Sequence, residues 1–237
     1  MLILAMDSST GRASVSIFKD DKMIAEMTLD NGNKHSETLL PMTAALLEQL
    51  KLTVCDVDLF ASTVGPGSFT GVRIGVCLLK GLAFGKNKPC VGLSSLETLA
   101  YNMLGFEKTL VCSLISAGHG NFYTALFEAD GQNVTRVCDD EILDTKSIAD
   151  RLALQRERIT LVGDGARSFY ETAGVTNVHL APGELLQQCG QSVALAALSH
   201  FGRGDYTSDL KLAPVYLRAS QAEREREMHL AEQNEKK

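Results

Sequence analysis

A glycine-rich segment, Gly65 through Gly75, has the residue types and spacing that come closest to a chemical motif. It follows a predicted buried strand and opens a predicted helix, so its backbone N–H groups would point at an anion beside the helix N-terminus. No Lys-Ser/Thr pair follows the last glycine, which excludes a Walker loop, and the spacing is one residue longer than G-x-G-x-x-G. A phosphate site and a tight strand-to-helix turn both stay open.

Histidine and cysteine offer few ligands for a metal. His35 begins a predicted helix with Ser36 as a candidate N-cap. A helical metal site needs a second ligand four residues later, and that residue is Leu39. The six cysteines contain no C-x-x-C pair. We therefore expect reduced cysteines and no bound metal.

The helix predicted from Phe69 to Phe84 is apolar nearly all round. Its charged residues are Arg73 and Lys80, and Gly71 and Gly75 lie one turn apart on one face. A helix that is apolar all round is buried on more than one side. It is either the central core helix of a monomer, or it packs between its own sheet and another subunit.

The elements that must position these residues repeat along the chain. Predicted strands and helices give each half the order β-β-β-α-β-α-β-α, in which the strands occupy 2–7, 13–18, 22–29, 57–64 and 89–93, then 109–116, 121–128, 133–138, 158–163 and 176–180. A duplicated α/β unit of this kind is typical of the actin-like fold. We expect a first subdomain at 1–105, a second at 106–218 and a charged tail at 219–237.

The two halves differ in their candidate acidic residues. Asp7-Ser8-Ser9-Thr10 follows the first strand, where actin-like ATPases hold phosphate and order the metal ion. The matching turn of the second half is Ser116 through Gly120 and contains no carboxylate. Phosphoryl transfer needs acidic groups around magnesium, so we expect no autonomous ATPase activity.

Composition excludes several classes of protein. Apolar residues make up 45 % and charged residues 22 %, and the net charge is −6. No apolar run reaches the about 18 residues of a membrane span, and no export signal is visible, so we expect a cytoplasmic protein. The sequence has no basic stripe for nucleic acid, so any grip on tRNA would come from a partner.

Five segments together resemble one known family. The sequence is similar to the TsaB (YeaZ) family at residues 3–10, 35–37, 65–75, 92–97 and 214–218. The resemblance implies an actin-like fold with a reduced second subdomain. It also implies a paralogue of the TsaD enzyme, which transfers a threonylcarbamoyl group to the adenosine beside the anticodon of ANN-decoding tRNAs. In that family TsaB is the non-catalytic subunit of the t6A complex.

The resemblance also implies partners and an interface. A TsaD-type paralogue would bind through the two helices that begin near His35 and Phe69, and a TsaE-type ATPase would join the assembled complex. ATP and magnesium would be used by these partner subunits, with no cofactor bound by this chain alone. A homodimer of the lone chain stays open. The expected interface residues are His35, Ser36, Leu39, Leu40, Phe69, Val72, Arg73, Gly75, Val76 and Leu79.

Two departures and two alternatives accompany this interpretation. TsaD has an H-x-x-x-H metal site, and the position of its second histidine is occupied here by Leu39. Many TsaB family members have Asp-Ala-Arg-x-Gly in the second-half turn, where this chain has Ser116 through Gly120. The alternatives are an autonomous ATPase or kinase of the actin-like fold, disfavoured by the missing acid, and a metallopeptidase-like protein, disfavoured by the missing histidine.

Overall fold

The computed structural model describes residues 1–32 and 34–218, so the predicted tail at 219–237 lies outside the described residues. Two mixed β-sheets form the frame, each flanked by helices. The first contains β1 (Leu2–Asp7), β2 (Ala13–Lys19), β3 (Lys22–Leu29), β4 (Leu59–Gly65) and β5 (Cys90–Ser94). Its helices are α1 (His35–Gln49), α2 (Phe69–Ala83) and α3 (Ser95–Ala100).

The first sheet has the order β3-β2-β1-β4-β5. Strands β1 to β3 form an antiparallel meander, whereas β4 and β5 run parallel to β1. The β2–β3 hairpin turns through Asp20 and Asp21, which both have positive φ, as a two-residue hairpin turn requires. Every residue of β1 and β4 is buried, because helices cover both faces of the sheet.

The second sheet repeats this topology. It contains β6 (Thr109–Gly118), β7 (Asn121–Ala129), β8 (Val134–Arg136), β9 (Glu141–Asp144), β10 (Ile159–Val162) and β11 (Val178–Leu180). The order β8-β7-β6-β10-β11 matches that of the first sheet strand for strand, and β9 pairs with β7 as an addition. Its helices are α4 (Thr145–Ala153) and α5 (Ala166–Thr172), and α6 (Gly190–Gly202) follows.

Two hydrophobic cores lie on opposite faces of the first sheet. One is closed by α1 and α2, through buried residues such as Met42, Leu46 and Val76. The other joins the opposite face to α3, α6 and the whole second sheet. Helix α6 comes late in the chain yet packs against β1 and β2, and Thr207 then pairs with Cys90 on β5. The end of the second half is thus packed on the first sheet.

The predicted element order is correct except at two places. Strand β9 was not predicted, so the second half has four strands before its first helix. The helix expected at 94–104 ends at Ala100 and continues as a 3₁₀ turn over Tyr101–Met103. In the second half β8, β10 and β11 are shorter than their counterparts β3, β4 and β5, whereas β6 and β7 are longer than β1 and β2.

Candidate functional site

A cleft of about 670 Å³ opens between loops of the two sheets. The first half contributes the β1–β2 turn, the β4–α2 turn and the start of α1. The second half contributes the carboxyl end of β6, Tyr123 of β7 and Asp164 from the turn after β10, and residues 215–218 lie along one side. The loops in the cleft follow the carboxyl ends of parallel strands, where ligands bind in open α/β sheets.

Asp7 ends β1 and is fully buried. Its Oδ1 atom accepts hydrogen bonds from Ser9 Oγ at 2.7 Å and Thr63 Oγ1 at 2.6 Å, while Oδ2 has no partner among the described residues. Burial raises the pKa of this carboxyl, although the hydrogen bonds from Thr63 and Ser9 oppose the shift. Asp7 therefore fixes the β1–β2 turn to β4.

The glycine-rich turn packs directly on this β1–β2 turn. Ser68 N donates to Ser9 O at 2.7 Å, and Ser8 Oγ donates to Gly71 O at 2.9 Å. A Cβ atom at Gly67 would overlap the Ser9 carbonyl oxygen, and one at Gly71 would overlap that of Ser8. The glycines thus allow two backbones to touch. At Ser68 a carbonyl oxygen of the chain takes one of the N–H groups near the start of α2 that a phosphate could use. The structure favours the tight-turn alternative.

The expectation that the second half lacks a carboxylate is wrong, because Asp164 lies in the cleft. Ser116 N donates to Asp164 Oδ1 at 3.1 Å, so an acid from the turn after β10 stands beside the turn where none was found. Asp164 is exposed to solvent in the cleft, but partial burial by the cleft walls raises the pKa of its carboxyl, and the charge of Asp7 acts in the same direction. The run Gly163-Asp164-Gly165 directly after a predicted strand was the available signal.

His35 lies at the first turn of α1 and touches the cleft. Its Nε2 atom is 2.7 Å from Thr10 O, and because a carbonyl oxygen only accepts, Nε2 carries the proton. Leu39, four residues later, is buried in the core. Within residues 1–32 and 34–218 there is no group of three or more His, Cys, Asp or Glu side chains that could hold a metal ion.

Half of the residues expected at a partner interface are buried within the chain itself. These are Leu39, Val72, Gly75, Val76 and Leu79. A Cβ atom at Gly75 would overlap Ser8 Oγ and lie 3.3 Å from Ser62 Oγ, so this face of α2 packs on β4 and the β1–β2 turn. Gly75 was expected at the partner interface, but here Gly71 and Gly75 allow close packing inside the subunit.

The other five expected interface residues are at least partly accessible to solvent. Ser36, Leu40 and Arg73 are exposed, and His35 and Phe69 are half-buried. Further accessible residues extend this surface along both helices. We define the outer helix face as Leu40 and Ala44 of α1, Ile74, Cys77 and Gly81 of α2, and Phe84. Leu40, near the start of α1, is 53 % exposed, and Phe84, directly after α2, is 71 % exposed.

The repeated strand order and the cleft between the two sheets define an actin-like α/β protein. The activator of 2-hydroxyisocaproyl-CoA dehydratase from Clostridium difficile has a similar fold, with a TM-score of 0.50 at 12 % identity over 86 % of this chain and 97 % of that one. The family model described as TsaD, tRNA N6-adenosine threonylcarbamoyltransferase, matches residues 27–197.

Nearer relatives are more specific. The tRNA threonylcarbamoyladenosine biosynthesis protein TsaB of Escherichia coli K12 is 30 % identical over 222 residues, which cover 92 % of this chain and 95 % of that protein. YeaZ from Pseudomonas aeruginosa superposes with a TM-score of 0.80 at 24 % identity, over 91 % of this chain and 99 % of that one. The chain belongs to the TsaB family, as its sequence motifs indicated. No helix in the described part of the chain is long and apolar enough to cross a membrane.

Proposed function

We propose that this protein is the non-catalytic subunit of a cytoplasmic complex that makes tRNA threonylcarbamoyladenosine, where it binds and supports a TsaD-type transferase. The observation that carries the proposal is the similarity to TsaB along almost the whole chain, at 30 % identity over 92 % of its length. Neither the ATPase or kinase alternative nor the metallopeptidase alternative is favoured by a relative of this kind.

The packing of the cleft supports a subunit without chemistry of its own. Asp164 supplies the second carboxylate, so the absence of an acid no longer argues against nucleotide binding. The contact between Ser68 N and Ser9 O gives a different reason, because it occupies one of the N–H donors near the start of α2 that a phosphate could use. We expect isothermal titration of the lone chain with Mg-ATP at near-millimolar concentration to show neither tight binding nor turnover.

The outer helix face is the proposed docking surface for the transferase. The chain itself matches the TsaD family model over residues 27–197. A TsaD-type partner would therefore present a similar helix pair, and two such pairs can pack on one another. Large exposed side chains such as Leu40 and Phe84 would be buried by that contact. A second copy of this chain would offer the same surface, so a homodimer of the lone chain is the competing occupant.

The remaining components would be supplied by partners. A TsaE-type ATPase would join the assembled complex, and the partner subunits would use ATP and magnesium. The net charge of −6 is unsuited to gripping phosphates, which dominate the affinity for nucleic acid. We therefore expect tRNA to bind only when the transferase is present.

A pair of exposed leucines provides a matched test of the docking surface. Leu40 lies on the outer helix face, whereas Leu154 follows α4 beside the second sheet and is 82 % exposed. Leu40→Glu should abolish co-elution with the transferase in size-exclusion chromatography, because it would bury a charge in the interface. Leu154→Glu should have no effect, and both variants should fold because each site is exposed in the lone chain.

Modification of tRNA provides the functional readout. The transferase with the TsaE-type ATPase should form threonylcarbamoyladenosine efficiently only when the wild-type chain or Leu154→Glu is added, as measured by mass spectrometry of nucleosides. Formation of the modified base by this chain without the transferase would contradict the non-catalytic role. Loss of the complex in Leu154→Glu but not in Leu40→Glu would show that the docking surface lies elsewhere.

A further inference from the structure

Residues 213–218 cross from the first half of the molecule to the second along the cleft, and we name them the C-terminal strap. The chain is anchored just before the strap, where Lys80 Nζ donates to Leu212 O at 2.8 Å. Val215 N donates to Val64 O at 2.7 Å, and Arg218 Nη1 donates to Ala117 O at 3.3 Å. The strap is therefore held at both ends by hydrogen bonds.

The middle of the strap carries Tyr216, which contacts the first turn of α2. The rings of Tyr216 and Phe69 have centroids 4.6 Å apart. Arg73 Nε donates to Tyr216 Oη at 2.7 Å, and the Arg73 guanidinium carbon lies 3.9 Å from the centroid of Phe69. The guanidinium is thus fixed in orientation by one hydrogen bond and one cation–π contact.

The oriented guanidinium of Arg73 has two further N–H donor groups, Nη1 and Nη2. The Tyr216 hydroxyl accepts the hydrogen bond of Nε, and within residues 1–32 and 34–218 no carboxylate pairs with the two Nη groups of Arg73. The residue is exposed, and it lies between the strap and the outer helix face. Next to it, Val215 is 52 % and Leu217 36 % exposed. This is a cation with a preset geometry inside an accessible apolar surface.

We propose that Arg73, oriented by Tyr216 and Phe69, binds a carboxylate of the partner protein, and that the strap is part of the docking surface. The occupant is a protein surface that presents an Asp or Glu side chain beside apolar residues. A planar guanidinium matches a carboxylate through two parallel hydrogen bonds, which a lysine cannot make. Burial of Val215 and Leu217 by the same partner would exclude water from the pair and strengthen it.

Ordering the arginine before binding is the physical benefit of the strap. A free arginine side chain loses much rotamer entropy when it is immobilised in an interface. Here Tyr216 and Phe69 already restrict it in the lone chain, so less entropy is lost on association. Tyr216 is accordingly a positioning residue, whose hydroxyl acts through Arg73 and not on the partner directly. This inference rests on the proposed function, because it deepens the contact with the TsaD-type transferase.

Isothermal titration of the whole chain with the TsaD-type transferase tests the proposal. Arg73→Ala should weaken binding by about 10- to 100-fold, as arginine hot spots do. Arg73→Lys should recover little of that loss, because it restores the charge but not the planar fork. Tyr216→Phe, which removes only the hydroxyl, should weaken binding about 3- to 10-fold and add nothing in the Arg73→Lys background. Arg167→Ala, at an exposed arginine of α5, is the matched control and should bind like wild type.

The possible failures are distinguishable. If the wild-type chain does not bind the transferase, the proposed function is wrong. If it binds and Arg73→Lys binds equally well, Arg73 acts as a point charge and the proposed fork is overturned. If Tyr216→Phe leaves the affinity unchanged, the positioning role of the strap is overturned. Denaturation midpoints of the lone variants serve to exclude unfolding. A purely structural role would lower the midpoint of a variant, but it would not make the affinity for the transferase depend on whether residue 73 is lysine or arginine.

Discussion

The two helical layers on the first sheet differ in how far their outer sides are covered by the rest of the chain. Helices α3 and α6 cover one face and share one continuous core with the second sheet, against which α3 packs through β6 and β7. Helices α1 and α2 cover the opposite face, and the outer helix face is left accessible in the lone chain. The first layer is therefore complete within the subunit, whereas the second is covered on one side only.

This difference explains why the apolar pattern of α2 alone could not distinguish a core helix from a helix at a subunit interface. Helix α2 buries Val72, Val76 and Leu79 against its own sheet, as a core helix does. It also exposes Cys77 and Gly81 and partly exposes Ile74 on the outer helix face. The core alternative thus holds for the inner side of α2, and the subunit-interface alternative concerns only its outer side. Glycines of α2 occur on both sides, and their substitution should separate the two sides experimentally.

The largest effect is expected at Gly75, on the inner side of α2. Gly75→Leu should lower the free energy of unfolding by about 3 kcal/mol or more, because the new side chain would overlap Ser8 Oγ and crowd Ser62. Equilibrium denaturation of the lone chain in urea measures this loss. An unchanged unfolding transition would mean that the inner and outer sides of α2 have been confused.

The intermediate effect is expected at Gly81, on the outer side of the same helix, where a Cβ atom would meet nothing within 4 Å. Gly81→Leu should leave the lone chain as stable as wild type or raise its unfolding free energy by up to about 1 kcal/mol, because glycine is a poor helix former. If the outer helix face is the docking surface, the same change should weaken binding to the transferase about 10-fold or more.

Gly81→Ala is the matched control for this comparison. It should give a similar gain in stability with a smaller loss of affinity, because alanine adds one methyl group to the surface. Light scattering coupled to size-exclusion chromatography would record both the complex and any homodimer. Full affinity in Gly81→Leu, together with a normal unfolding curve, would remove the C-terminal part of α2 from the interface.

Local sequence patterns predicted the fold well where the elements are long. Strand β1 and helix α2 have strong hydrophobic patterns and clear turn residues at their ends, and both were found within one residue of their bounds. Strand β9 was missed because Glu141–Asp144 has only two apolar residues, and it is held in place by pairing with β7. Pairing between distant segments leaves little trace in so short a stretch.

The site was predicted less well than the fold, because it depends on which side of a helix faces the sheet and on contacts between residues far apart in the sequence. The apolar pattern of α2 shows that several sides are buried, but it does not show which side faces the sheet, and so Gly75 was assigned to the wrong one. Asp164 was missed because the expected position for the carboxylate was the turn after β6, whereas Asp164 lies in the turn after β10. The importance of Tyr216 depends on a contact with Arg73, which is 143 positions away in the sequence.

The smallest effect concerns the completed layer, where α6 meets α3. His200 Nε2 lies 2.9 Å from Glu97 Oε1, and His200 Nδ1 lies 2.6 Å from Asp205 Oδ2. The hydrogen bond to Glu97 raises the pKa of His200, with a further contribution from Asp205. Burial alone would raise the pKa of Glu97, but His200 and the nearby Arg136 lower it. The charged forms therefore stabilise each other in the folded chain.

The pH dependence of stability follows from these two directions. A histidine whose pKa is raised by folding stabilises the fold fully below its unfolded pKa of about 6.5, and that stability is lost as pH rises through the folded value. The contribution of Glu97 is present above about pH 4.3, the unfolded value, and is lost as pH falls through its lowered pKa. Urea denaturation between pH 5.5 and 8.5 should thus show a decline above about pH 6.5, worth about 1.4 kcal/mol for each unit by which the pKa of His200 is raised.

His200→Gln isolates this contribution from that of the other histidines, because it keeps a polar side chain but cannot carry the charge. The variant should be less stable than wild type at pH 5.5, and the two curves should converge as pH rises. Parallel curves would show that His200 is neutral in the folded chain and that the pairing with Glu97 does not stabilise this layer. The same substitution should not change the affinity for the transferase, since α6 lies on the opposite face of the first sheet from α1 and α2. A loss of affinity in His200→Gln at equal stability would break the distinction between a completed layer and an open one.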